Sequence, residues 1–239
     1  MNYLIKACLE SDLKTIISAP DKDIHWNNDY LYSLSIKTKN DTIWEWLTKN
    51  KKFDPSLYTL FLQISCFYGN KKIFLWFIDN ISDIKSMIHW NNNICFESAC
   101  ISGNEKIIKT LYRMRTKDVD ISKLLKYACY GGNINTVQWL ISIHSVPVDK
   151  NKLFRYSIEY GHTELAKLFY EPGITVIYMY TDTIFNILKN NDIGTIKWLL
   201  NLDDSKSNYK HDNAITNSFL YYLKNGNIEF SKIFYELII

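Results

Sequence analysis

Five cysteines and five histidines are the side chains through which this chain of 239 residues could ligate a metal or act as a nucleophile. A zinc site draws its ligands from close pairs, yet Cys8, Cys66, Cys100 and Cys129 stand 58, 34 and 29 residues apart, with Cys95 outside that series. There is no His-Glu-x-x-His, no acid-rich metal loop and no strand-to-helix Gly-x-Ser-x-Gly turn. Gly131-Gly132 ends a run with helical periodicity instead of opening a helix after a strand, so it does not read as a phosphate cradle. Free cysteine packs as a small hydrophobe, and inert burial is the expectation for all five. No catalytic group, metal or cofactor is expected.

The cysteines do have an order, and it is the order of a repeat. Eight slots can be placed at Ser11, Lys39, Gly69, Gly103, Gly132, Gly161, Asn191 and Gly226, at intervals of 28 to 35 residues. Five of the eight glycines fill this slot, where a helix end calls for a left-handed residue. The next residue is Asp12, Asn40, Asn70, Asn104, Asn133, His162, Asp192 or Asn227, mostly side chains that cap a helix start. The two positions together stop one helix and start another, which is a tight helical hairpin.

Around each slot the apolar positions keep helical spacing. Four, five and eight residues after it come sets such as Ile43, Trp44 and Leu47, or Ile73, Phe74 and Phe77. These trace one face of a second helix. Seven residues before the slot stand Leu4, Tyr32, Leu62, Phe96, Leu125 and Phe154. Four before it are the small residues Ala7, Ser35, Ser65, Ala99, Ala128 and Ser157, and three before it are four of the cysteines. Trp46, Trp76, Trp139 and Trp198, seven after the slot, are expected in the core. The tetrapeptide His25-Trp26-Asn27-Asn28 recurs as His89-Trp90-Asn91-Asn92, fourteen residues before two slots, with Asn28 and Asn92 expected to make the turn.

Composition bounds the rest. The chain is 47% hydrophobic, and its net charge of +3 is too small to argue for nucleic acid. No apolar run is long enough to span a membrane and the amino terminus lacks a signal-peptide pattern. A cytoplasmic location is expected, with reduced thiols. Asn201 to Asn217 reads as a mobile loop, Pro172-Gly173 as a sharp turn, and Thr175 to Tyr180 as extended.

The Ala-Cys-x-x-Gly-Asn and Ser-x-x-x-Gly-His helix ends resemble those of the ankyrin repeat. So do the second helices Asn135 to Leu140, Glu164 to Phe169 and Gly194 to Leu199. The resemblance runs over the whole chain, although the Thr-Pro-Leu-His opening is absent and most repeats are shorter than the usual ~33 residues. It is similar to the degenerate, Asn- and Ile-rich arrays of large DNA viruses of amoebae. The resemblance implies an all-α, ankyrin-like solenoid in one domain over 1–239, with repeats near 1–24, 25–55, 56–88, 89–117, 118–146, 147–176, 177–211 and 212–239. Its β-hairpin fingers would be shortened or absent. It further implies a non-catalytic scaffold for protein–protein interaction, a viral protein meeting host cytoplasmic proteins on a rigid, curved surface.

Within that expectation the partner-binding candidates are Phe67, Tyr68, Ile101, Tyr130 and Tyr160, at the two positions just before the slot in repeats three to six. Exposed aromatics there would form a contact strip. Leu237, Ile238 and Ile239 are candidates for self-association. The alternative is a nucleic-acid or phosphate-binding solenoid, which needs Lys51, Lys52, Lys71, Lys72, Arg113 and Arg115 on one face. The basic runs Lys49 to Lys52 and Arg113 to Lys117 each follow a second helix, where positive charge suits the helix end. An enzyme would need convergent polar groups in a closed pocket.

Overall fold

The computed structural model describes residues 2–51, 54–114, 119–143, 147–172, 193–200 and 202, with positions 220–221, 224–226, 231–232 and 235. Every regular element among them is helical. By contacts the chain divides into two compact units, Met1–Ala128 and Cys129–Ile239, and each is taken by itself.

The first unit contains α1 (Asn2–Leu9), α2 (Leu13–Ile17), α3 (Asp21–Ile24), α4 (Trp26–Lys37) and α5 (Asp41–Asn50). It continues with α6 (Tyr58–Phe67), α7 (Lys71–Asn80), α8 (Ile84–Ser102) and α9 (Glu105–Met114), and α10 (Ile121–Tyr130) spans the division. The second unit holds α11 (Ile134–Ile143), α12 (Lys150–Glu159), α13 (Thr163–Phe169) and α14 (Ile193–Leu200). In the first unit the helices form two rows: α1, α4, α6 and α8 pack in succession, and α2, α5, α7 and α9 pack in succession beside them. This is a helical repeat in which each hairpin covers the apolar side of its neighbour.

The slot is where the chain reverses, and its backbone is left-handed at Ser11, Lys39, Gly69, Gly103, Gly132, Gly161 and Gly226, with φ between 55° and 79°. Serine and lysine accept the conformation at the first two slots because the surrounding hydrogen bonds demand it. In the first, second, third and sixth repeats the N–H of the capping residue donates to the carbonyl of the small residue five positions back. These bonds are Asp12 to Ala7, Asn40 to Ser35, Asn70 to Ser65 and His162 to Ser157, at 2.7–2.9 Å. That is the bond by which a helix closes its last turn over a left-handed residue.

The core follows the repeat positions. Ile43, Trp44 and Leu47 of α5, Ile73, Phe74 and Phe77 of α7, and Ile107, Ile108 and Leu111 of α9 are all buried. Facing them are the large first-helix residues Leu4, Tyr32, Leu62 and Phe96. Where the small position is serine, its hydroxyl turns back to its own helix: Ser35 to the carbonyl of Tyr32 (2.7 Å), Ser65 to Leu62 (2.6 Å) and Ser157 to Leu153 (2.7 Å). The hydroxyl is thereby satisfied inside a dry interface, so serine and alanine are interchangeable there.

The connectors hold no hairpin among the described residues and include helix: α3, a short 3-10 turn at Pro55–Leu57, and the first turns of the 19-residue α8. Two expectations need correction. Trp26 to Asn28 and His89 to Asn92 are themselves helical, and the left-handed residue comes one position later than expected, at Asp29 (φ 54°) and Asn93 (φ 68°). Trp46, Trp76, Trp139 and Trp198 are half-buried, and the tryptophan sealed in the core is Trp44, at 2% exposure. The slot residue Asn191, the segment Thr175 to Tyr180, Gly173, Leu237 to Ile239 and all of Asn201 to Asn217 except Leu202 lie outside the described residues.

Candidate binding surface

The residues just before the slot stand where a first helix runs out of neighbours. The last turn of α6 carries Phe67 on its outer side, 41% exposed, because the inner side is already filled by Leu62, Ser65 and Cys66. Tyr68, half-buried, meets the Phe67 ring edge-on with centroids 5.2 Å apart, and the Lys37 ammonium lies 5.7 Å from the centre of the Tyr68 ring. Ile101 is half-buried at the matching place on α8. In the second unit Tyr130 is 44% exposed and touches Tyr160, rings 4.4 Å apart and inclined at 65°. The five candidates therefore form two groups, Phe67, Tyr68 and Ile101 in one unit and Tyr130 with Tyr160 in the other. Each aromatic pair is held in a fixed edge-on arrangement of the kind rings prefer.

The capping side chains have a second task that the sequence pattern alone does not display. Asn40, Asn70 and Asn104 accept the N–H three residues on through Oδ1, each at 3.2 Å. Their Nδ2 groups donate backwards to the preceding hairpin: Asn40 to Cys8 (3.3 Å), Asn70 to Ile36 (3.3 Å) and Asn104 to Gly69 (3.0 Å). An aspartate can do only the first of these jobs, and Asp12 accepts from the Thr15 N–H through one oxygen and from the Thr15 hydroxyl through the other. His162 departs from the capping role expected of it. It makes no side-chain cap, and its Nε2–H donates to the Tyr130 carbonyl at 2.8 Å. These residues belong to the framework, not to a reactive site.

The same holds for the cysteines, all of which are buried. Burial pushes the thiols of Cys8 and Cys129 up to about 11 and those of Cys66 and Cys100 further up. A thiol that resists ionisation is a poor nucleophile and a poor metal ligand. Cys95, outside the repeat series, meets Cys66 across the α6–α8 interface. The described residues contain no cluster of three or more side chains able to hold a metal. A partly open cleft of about 270 Å³ between α5 and α7 is lined by Trp44, Trp76 and four charged groups. Its charges largely satisfy one another, since Lys72 lies 2.6 Å from Glu45 and 3.6 Å from Asp41.

Two of the basic groups needed for nucleic acid, Lys51 and Lys72, are similarly engaged, while Lys71 is half-buried and Arg113 exposed. Lys51 pairs with Asp21, and the ammonium of Lys72 is held by the two carboxylates just named. Lys52 and Arg115 lie outside the described residues. Among the described residues no helix is long and apolar enough to cross a membrane.

Neither a protein-family model nor a curated protein nor a solved structure matches this chain.

Proposed function

We propose that the chain is an ankyrin-type repeat whose work is non-catalytic recognition of other proteins, in the setting the sequence resemblance implies, that of a viral protein meeting host cytoplasmic partners. One observation supports the reading above the others. Phe67 and Tyr130 occupy the same position of their repeats, the framework does not require a large ring at either, and both are left in water. Aromatic side chains held rigidly at a surface are the usual anchors of protein interfaces, because they bury much area while losing little conformational freedom.

The test is affinity capture from amoebal lysate with the natural chain and with a Phe67→Ala/Tyr130→Ala variant whose melting is unchanged. Selective capture of a protein by the natural chain and its loss in the variant is the expected outcome. A captured set identical for both would remove the aromatic positions from the reading.

A further inference from the structure

We infer that Asn225 is a site of self-modification: the turn at Asn225-Gly226 converts, with water as its only reagent, to aspartate and isoaspartate through a cyclic imide. The inference goes beyond the protein-recognition reading above and does not depend on it.

The repeat pattern isolates the position. The slot glycines Gly69, Gly103, Gly132, Gly161 and Gly226 follow Tyr68, Ser102, Gly131, Tyr160 and Asn225 in turn, and Asn225-Gly226 is the single Asn-Gly pair in the chain. An asparagine side chain closes on the next main-chain nitrogen where the following residue leaves room for the ring, and glycine, having no Cβ, leaves the most. Gly226 has φ +72°, and a Cβ added there would meet nothing within 4 Å. Lys224, Asn225 and Gly226 are all exposed, just past the helical positions 220, 221 and 224. A helix end in water opens at little cost, which supplies the backbone freedom that ring closure needs.

Two other asparagines are matched controls. Asn50 and Asn80 are exposed and end α5 and α7. Each donates from Nδ2 to the carbonyl four residues back, that of Trp46 or Trp76, at 2.8 Å. Asn225 does the same to Tyr221 at 2.7 Å. Exposure and side-chain hydrogen bond are therefore alike at the three sites. The difference is the next residue, because Lys51 and Ile81 carry side chains where Gly226 has none.

The chemistry balances without an oxidant or a reductant. The main-chain nitrogen of Gly226 gives its proton to solvent and attacks Cγ of Asn225. The Cγ–Nδ2 bond breaks, and the side-chain nitrogen leaves as ammonia. Water then splits either C–N bond of the imide. Cleavage at Cγ gives aspartate, and cleavage at the main-chain carbonyl leaves the chain running through Cγ, which is isoaspartate. Both products lose the Nδ2–H donor to the Tyr221 carbonyl. Both also put a negative charge at the C-terminal end of a helical stretch, where the helix dipole opposes it. The isoaspartyl form further adds a carbon to the main chain at the reversal.

The natural full chain is incubated at mildly alkaline pH under conditions where its helical circular dichroism stays constant. Peptides holding Asn50, Asn80 and Asn225 are followed by mass spectrometry, with fragmentation that separates aspartate from isoaspartate, until one of the three is consumed. The expected result is loss of Asn225 with both products appearing, while Asn50 and Asn80 stay intact. Gly226→Ala, at a turn with room for the added methyl group, is expected to suppress the loss at Asn225. Survival of Asn225 for as long as the other two would overturn the proposal. So would aspartate formed without isoaspartate, or an undiminished rate in Gly226→Ala.

Discussion

The imidazole of His162 occupies the space that a side chain at residue 132 would need. A Cβ placed on Gly132 falls 2.6 Å from Cε1 and 2.7 Å from Cγ of that ring, and the residue has φ +67°. The ring is held there by its Nε2–H bond to the Tyr130 carbonyl, so one histidine ties two successive hairpins of the second unit together while excluding any side chain from the earlier turn.

Gly132→Ala should therefore destabilise the chain by ~2–4 kcal/mol, combining the left-handed penalty with displacement of the ring. Gly226 is the matched control, since it has φ +72° but nothing within 4 Å of its added Cβ. Gly226→Ala should cost only the conformational part, ~1 kcal/mol. Urea unfolding of both variants separates the two contributions, and equal losses would show that the ring yields freely.

Asn70→Asp keeps the oxygen that caps α7 and replaces the donor to the buried Ile36 carbonyl with an acceptor. The expected loss is ~2–3 kcal/mol, the cost of an unsatisfied or repelled buried group. Asp12→Asn keeps the cap and disturbs only the bond from the Thr15 hydroxyl to the second carboxylate oxygen, so it should cost less, ~1 kcal/mol or under. Chemical denaturation of the two variants checks the pair.

Ser65 has its hydroxyl bonded to Leu62 of its own helix. Ser65→Ala should be tolerated within ~1 kcal/mol, since the Leu62 carbonyl it leaves lies inside α6 and keeps its backbone donor four residues on. Ser65→Val should cost ~1–3 kcal/mol by forcing α6 away from its neighbours. Thermal melts distinguish these outcomes.

The raised thiols of Cys8 and Cys129 set a pH dependence. Burial favours the neutral thiol in the folded state, so this contribution to stability is complete below the ordinary thiol range near ~8.5 and is lost as pH rises through about 11. Stability measured across that window should decline less steeply in Cys8→Ala than in the natural chain, because one of the neutral thiols has gone. Parallel declines would show that other groups control the alkaline limb.

Much of this architecture is legible in the sequence. The intervals between Ser11, Lys39, Gly69 and their successors marked the reversals, and all the slots described are left-handed. The positions flanking each slot marked which residues pack inward, from Leu4 and Ala7 to Phe77 and Leu111. The all-α class and the hairpin register are thus readable, and so is the shared position of Phe67 and Tyr130 just before the slot. Their exposure is not, because an apolar residue at helical spacing reads as core until its neighbours are known.

What the sequence by itself determined is whatever depends on a few adjacent residues: helical period, the left-handed reversal and the cap. These come from backbone geometry within one or two turns. Only the tertiary structure decided what is left uncovered and what is shared between hairpins. It assigned the second bond of Asn70 to Ile36, set Cys66 against Cys95, and buried Glu97 beside Lys123. It left Phe67 in water while sealing Trp44. Each of these depends on partners brought from about 25 to 35 residues away, and helical spacing tells which side of a helix a residue is on without telling what, if anything, covers that side.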